Sequence, residues 1–134
     1  MSQVAIRKAL EIALNAMTPA LPTAWENVTF QPPDPALPFQ RVFILFAEPD
    51  DAELGSANHT ERGIFQINLL YPLQAGDKDA RARAELIKST FARANSFSNS
   101  GISTIIERTP EASGGMVDGD RWLVPVKCRF FAFV

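Results

Sequence analysis

Ile64-Phe65-Gln66-Ile67-Asn68-Leu69-Leu70-Tyr71 alternates in side-chain character. Phe65, Ile67, Leu69 and Tyr71 fall on one side of an extended chain, with Gln66 and Asn68 among those on the other. That is the period of a strand with one buried face, and Pro72 ends it because proline has no amide hydrogen to continue a ladder. Upstream, Val42-Phe43-Ile44-Leu45-Phe46 is a continuous apolar run within 41–47. Its length and β-favouring side chains predict a strand near the sheet centre, covered on both faces. Downstream, Trp122, Val124, Val126, Cys128, Phe130, Ala132 and Val134 share one face of a last strand, while Lys127 and Arg129 share the other with Leu123, Phe131 and Phe133. Pro125 interrupts it and predicts an edge position, a bulge or a strand end at that point.

Two amphipathic helices accompany these strands. Ile6, Leu10, Ala13, Leu14 and Met17 recur at helical spacing, opposed by Arg7, Lys8, Glu11 and Asn15, and Thr18-Pro19 stops the helix. Gly76-Asp77 opens the second, with Asp77 as the expected N-cap and Ala80, Ala84, Ile87 and Phe91 as the buried stripe. Six prolines between Pro19 and Pro38 forbid a helix there and predict an extended connector with a short strand over 27–30, serving as a surface crossover or a subunit-docking arm. A turn-rich stretch over 95–101 precedes a strand over 102–108, whose Ile102, Thr104 and Ile106 share a face, and a loop with Pro110 and Gly114-Gly115 follows. The order predicts one α+β domain: a mainly antiparallel or mixed sheet with two helices packed on one face.

The 134 residues suffice for one core but not two, and the net charge of −2 supplies no positive field for nucleic acid or an anionic membrane. The N-terminal stretch lacks an uninterrupted apolar segment, and no apolar run reaches membrane-spanning length, so a soluble protein is expected. The single cysteine, Cys128, excludes an intrachain disulfide.

Candidate chemistry centres on the acidic stretch from Glu48 to Arg62, longer than a tight hairpin requires between two pairing strands. It holds Glu48, Asp50, Asp51, Glu53 and the sole histidine, His59. One reading is a metal-assisted hydrolase, but one histidine cannot supply the convergent nitrogen and sulfur ligands of zinc, and the acids lack the spacing of a calcium loop. A Ser-His-Asp hydrolase is equally unsupported, since no nucleophile elbow accompanies His59. Cys128 falls on an apolar strand face, where an inert thiol is expected. Gly114-Gly115 has no following lysine in phosphate-loop spacing, and Arg81, Arg83, Lys88 and Arg93 read as a solvated basic helix face. Neither a cofactor nor a catalytic set is predicted. A small ligand- or peptide-binding module remains the alternative to an assembly protein.

Arg62-Gly63-Ile64-Phe65-Gln66-Ile67-Asn68-Leu69, followed by Tyr71-Pro72, Gly76 and the helix over 80–91, resembles the central pattern of phage tail terminator proteins, the small minor tail proteins of lambda-like long-tailed phages. The resemblance extends over most of the chain in length and element order. It implies a structural, non-enzymatic protein of a phage or prophage virion, assembled in the host cytoplasm. It further implies a homo-hexameric ring that caps the tail tube protein, halts polymerisation and faces the head–tail connector. Within that frame Glu48, Asp50, Asp51, Glu53 and His59 are expected at a subunit contact or the ring lumen. Arg62, Lys127 and Arg129, charges set in apolar strands, are expected to meet acidic groups of an adjoining chain.

Overall fold

The computed structural model describes residues 2–51 and 59–134, and Glu53 lies outside them. Among the described residues the chain runs through α1 (Ser2–Asn15), β1 (Thr23–Ala24), β2 (Phe39–Phe46), β3 (Thr60–Pro72), α2 (Lys78–Thr90), β4 (Ser96–Asn99), β5 (Ile102–Ile106), β6 (Glu111–Ala112), β7 (Met116–Asp118) and β8 (Arg121–Phe133). The strands form one sheet in the order β1-β2-β3-β8-β5-β4, with β6 and β7 also paired to β8. Only β1 lies parallel to its neighbour, so the sheet is mixed, and the fold is the expected α+β class.

The two longest strands set the frame. β3 and β8 pair antiparallel from Thr60 opposite Phe133 to Pro72 opposite Arg121. Because side chains alternate, this register aligns Phe65, Ile67 and Leu69 with Cys128, Val126 and Val124 on one face. Both helices close that face. Ile6, Leu10, Leu14 and Met17 of α1 and its C-terminal extension, and Ala80, Ala84, Ile87 and Phe91 of α2, join the strand residues in one continuous core. Phe65, Phe91 and Phe97 stack through it, with centroids 5.6 and 5.2 Å apart.

Gly63 of the quoted pattern has a packing reason. A Cβ there would stand 2.5 Å from the Leu45 carbonyl oxygen and 2.7 Å from Phe130 Cζ, so the Phe130 ring lies over bare backbone. Phe46 meets the same ring edge-on at 5.9 Å.

Several local expectations change. The run 42–46 is not covered on both faces: Val42 and Ile44 are buried, whereas Leu45 is 55% and Phe43 37% exposed. β2 is also not central, having only the two-residue β1 beyond it. Continuous hydrophobicity signals burial but not what buries it. No strand forms over 27–30; the pairing segment is β1, and Asn27 adopts φ 57° in a turn. The stretch read as turns before Ile102 contains β4, which a turn at Ser100-Gly101 joins to β5. Asp77 precedes α2 but makes no side-chain cap; its carboxylate accepts instead from Arg81 Nε at 2.6 Å and Trp122 Nε1 at 2.7 Å. Those bonds hold the carboxyl below its usual range.

Pro125 sits mid-strand in an unbroken pairing with β3, but on its other side the β6 and β7 registers shift by one residue around it, so the expected irregularity falls there. The Ser113 amide donates to the Pro125 carbonyl at 3.0 Å, which places the backbone polar groups of Pro125 on the side away from β3. On that side Pro125 falls between Ala112, paired with Val126, and Met116, paired with Leu123. The missing amide hydrogen therefore costs no β3 bond.

Candidate assembly surface

The sheet face opposite the helices is divided into two parts. At one end the connector folds back across it. Phe39, on that face by register with Leu70, is buried, with Phe30 stacked on its ring at 5.2 Å. Arg121, at the start of β8, is also buried and pins the connector. Its guanidinium donates to the Pro33 carbonyl at 2.6 Å, the Asp34 carbonyl at 3.1 Å and the Leu37 carbonyl, while lying 4.6 Å from the Phe39 ring centroid. A planar fork with five donors suits a bundle of carbonyls at one chain reversal. The connector thus docks on its own chain.

The other end has no such cover among the described residues. Leu45, Ile64 and Arg129 lie in one cross-strand row, and Phe43, Gln66 and Lys127 in the next. Beyond them, Phe131 is half-buried and Phe133 is 68% exposed. Two adjoining hollows, of about 290 and 120 Å³, share Ile64 and Arg129, and Leu45 lines the larger one. Arg108, Lys127 and Glu111 line the smaller, so three cations face one carboxylate across an apolar floor. Arg108, Lys127 and Arg129 are exposed and make no ion pair among the described residues.

The sequence-derived candidates separate on this surface. Lys127 and Arg129 share it as expected. Arg62 stands at its margin but is already engaged: Nε donates to Asp50 at 2.6 Å, Nη1 to Glu107 at 2.5 Å, and the guanidinium lies 5.7 Å from the Phe131 ring centroid. The Asp50 bond chiefly raises its already high pKa. Asp50 also exchanges both backbone hydrogen bonds with Thr60, extending the β2–β3 hairpin past its named end. Glu48 and Asp51 are exposed.

His59 exchanges backbone bonds with Val134 at 3.2 and 2.9 Å, continuing the β3–β8 ladder, and its Nε2 lies 3.0 Å from Glu61 Oε1. Among the described residues no three His, Cys, Asp or Glu side chains converge to hold a metal ion. Cys128 is buried, which pushes its thiol up to about 12 and keeps it protonated near neutrality.

Sequence reasoning missed the buried Arg121 and the exposed Arg108, Leu45 and Phe43. A charge heading an apolar strand was the available signal for Arg121. The exposure of Leu45 and Phe43 had none, because their buried neighbours have the same composition.

The geometry defines a class: a helix-backed α+β domain with one sheet face partly strapped by its own connector and partly open. The chain belongs to the phage tail terminator family, whose model, described as phage tail terminator protein, matches residues 5–130. It is thus a structural component of phage tails. A solved structure 24% identical to it aligns over 98% of this chain and 92% of that chain with a TM-score of 0.76, which shows the shared fold. Comparison with curated proteins gives no match. No helix among the described residues is long and apolar enough to cross a membrane.

Proposed function

We propose that the chain caps the phage tail tube: it adds to the last ring of tube protein as a homo-hexameric ring, stops polymerisation and presents its far side to the head–tail connector. The observation that supports this reading is the outer sheet face left uncovered among the described residues, where exposed Leu45, Phe43 and Phe133 sit beside Lys127 and Arg129, which make no ion pair among those residues. Apolar side chains rimmed by charge favour association with another protein surface. The hollows, of about 290 and 120 Å³, fall below the usual size of a small-molecule pocket, which favours a protein neighbour over an enclosed ligand.

In this reading Glu48, Asp50, Asp51, Glu53 and His59 serve a subunit contact or the ring lumen. No catalytic step belongs to this role. Tube protein from the same phage, polymerised with and without the chain and measured by electron microscopy, tests capping. Tubes that stop growing with the chain at one end support it, and lengths unaffected by the chain overturn it.

A further inference from the structure

The β7–β8 hairpin carries chemistry complementary to the open face. Residues 116–120 are exposed throughout, with Met116 at 50% and Val117 at 65%. Met116 and Val117 are followed at the tip by Asp118, Gly119 and Asp120. Gly119 takes φ 61°, which glycine adopts without strain and which lets a two-residue loop turn the chain between Asp118 and its partner Arg121. Asp118 has no ion-pair partner among the described residues. Asp120 reaches Arg121 only at 4.0 Å, and that guanidinium is committed to the connector carbonyls. Because side chains alternate, Met116 and Asp118 share the outer side of the hairpin with Leu123 and Arg121, and Val117 points to the other side with Trp122.

The open face presents the converse: Leu45 and Ile64 as an apolar floor, with Arg108, Lys127 and Arg129 around it. Both features sit on β8 or its direct neighbours but at opposite ends. From Arg121 to Arg129 the strand rises roughly 27 Å, so a tip cannot reach the face of its own chain. Two complementary patches at different places on one molecule make a heterologous contact, and repetition of such a contact gives a closed ring or an open filament.

We infer that the β7–β8 hairpin of one copy docks on the open outer face of the next, with Met116 against Leu45 and Ile64, and Asp118 and Asp120 facing Lys127, Arg129 and Arg108. The occupant is a second copy of this chain. The inference rests on the ring reading for closure, but the pairwise contact itself does not.

The test uses full-length chains in two arms. In the first, Met116→Cys is mixed with Leu45→Cys under mild oxidation, against Met116→Cys with Val28→Cys as a control at another exposed site. Cys128 is buried and does not compete. A covalent dimer as the dominant product of the first mixture, with only background in the control, supports the contact. Equal yields in the two mixtures overturn it.

In the second, light scattering follows Asp118→Lys/Asp120→Lys, Lys127→Glu/Arg129→Glu and their equimolar mixture. Each variant alone is expected to lose assembly, because a reversed tip meets a normal face or the converse. The mixture is expected to regain it, since alternating copies pair every tip with a complementary face and an even ring closes. Variants that assemble alone as the wild type does overturn the contact. Specific cross-linking without any closed ring supports the contact while sinking the ring, so the two failures are distinguishable.

Discussion

Replacing Arg121 with alanine removes a side chain that ties the proline-rich connector to the sheet through three backbone carbonyls at once. A hydrogen bond from a charged donor contributes about 1.5–3 kcal/mol, and a desolvated cation over an aromatic ring up to about 2 kcal/mol. These terms do not add, because the freed carbonyls at Pro33, Asp34 and Leu37 regain water once the connector lifts. The loss is bounded by the free energy of docking the segment, which also includes the Phe30–Phe39 stack. A destabilisation of about 3 kcal/mol is expected. With a urea slope near 1.5 kcal/mol/M, the midpoint should fall by roughly 2 M.

Lysine at the same position keeps the charge but not the fork, so its midpoint should fall between those of Arg121→Ala and the wild type. Urea unfolding followed by fluorescence gives the midpoints. Hydrogen exchange at Leu37, whose amide donates to the Asp34 carbonyl at 2.8 Å, reports the connector directly. A midpoint within about 0.5 M of wild type, together with unchanged protection at Leu37, would refute the pinning role.

Gly63→Ala forces a methyl group against the Leu45 carbonyl and the Phe130 ring, and should cost about 1–3 kcal/mol in thermal unfolding. Cys128 should resist thiol reagents in the native state at pH 8 and react on unfolding. Its folded pKa is raised, so the folded state holds the proton longer and stability declines as pH climbs from about 9 toward 12. Cys128→Ala should flatten that decline in melts recorded across the range. Neutralising Asp50 and Asp51 together should leave the unfolding midpoint nearly unchanged, because the Arg62 pair is exposed and screened by solvent. The same double change should alter the mass of assemblies or its salt dependence in light scattering; identical profiles would remove the acidic stretch from the subunit contact.

Periodicity was informative wherever a segment's neighbours were implied by its own pattern. The alternation over 64–71 and 122–134 fixed which residues face the core, and the helical spacing of Ala80, Ala84, Ile87 and Phe91 matched their burial, whereas Arg83, expected on a solvated face, is buried and donates to the Pro19 carbonyl. The pattern around Arg62 to Leu69 was enough to suggest the family that the match over 5–130 establishes. It failed where pairing or cover comes from distant chain. β1 and β4 are short and polar, and they are strands because β2 and β5 offer them an edge.

By itself, then, the sequence determined the α+β class, the two helices, the core faces of the long strands and the absence of a disulfide. These follow from side-chain period, proline placement and the single cysteine, all local properties of the chain. Tertiary structure alone decided that Arg121 straps the connector over Phe39, that Asp50 and Glu107 already engage Arg62, and that Leu45 and Phe43 are left exposed. Each depends on which residues meet across a long sequence separation, and hydrophobicity read along the chain says that a side chain favours burial without saying whether its own fold provides the cover.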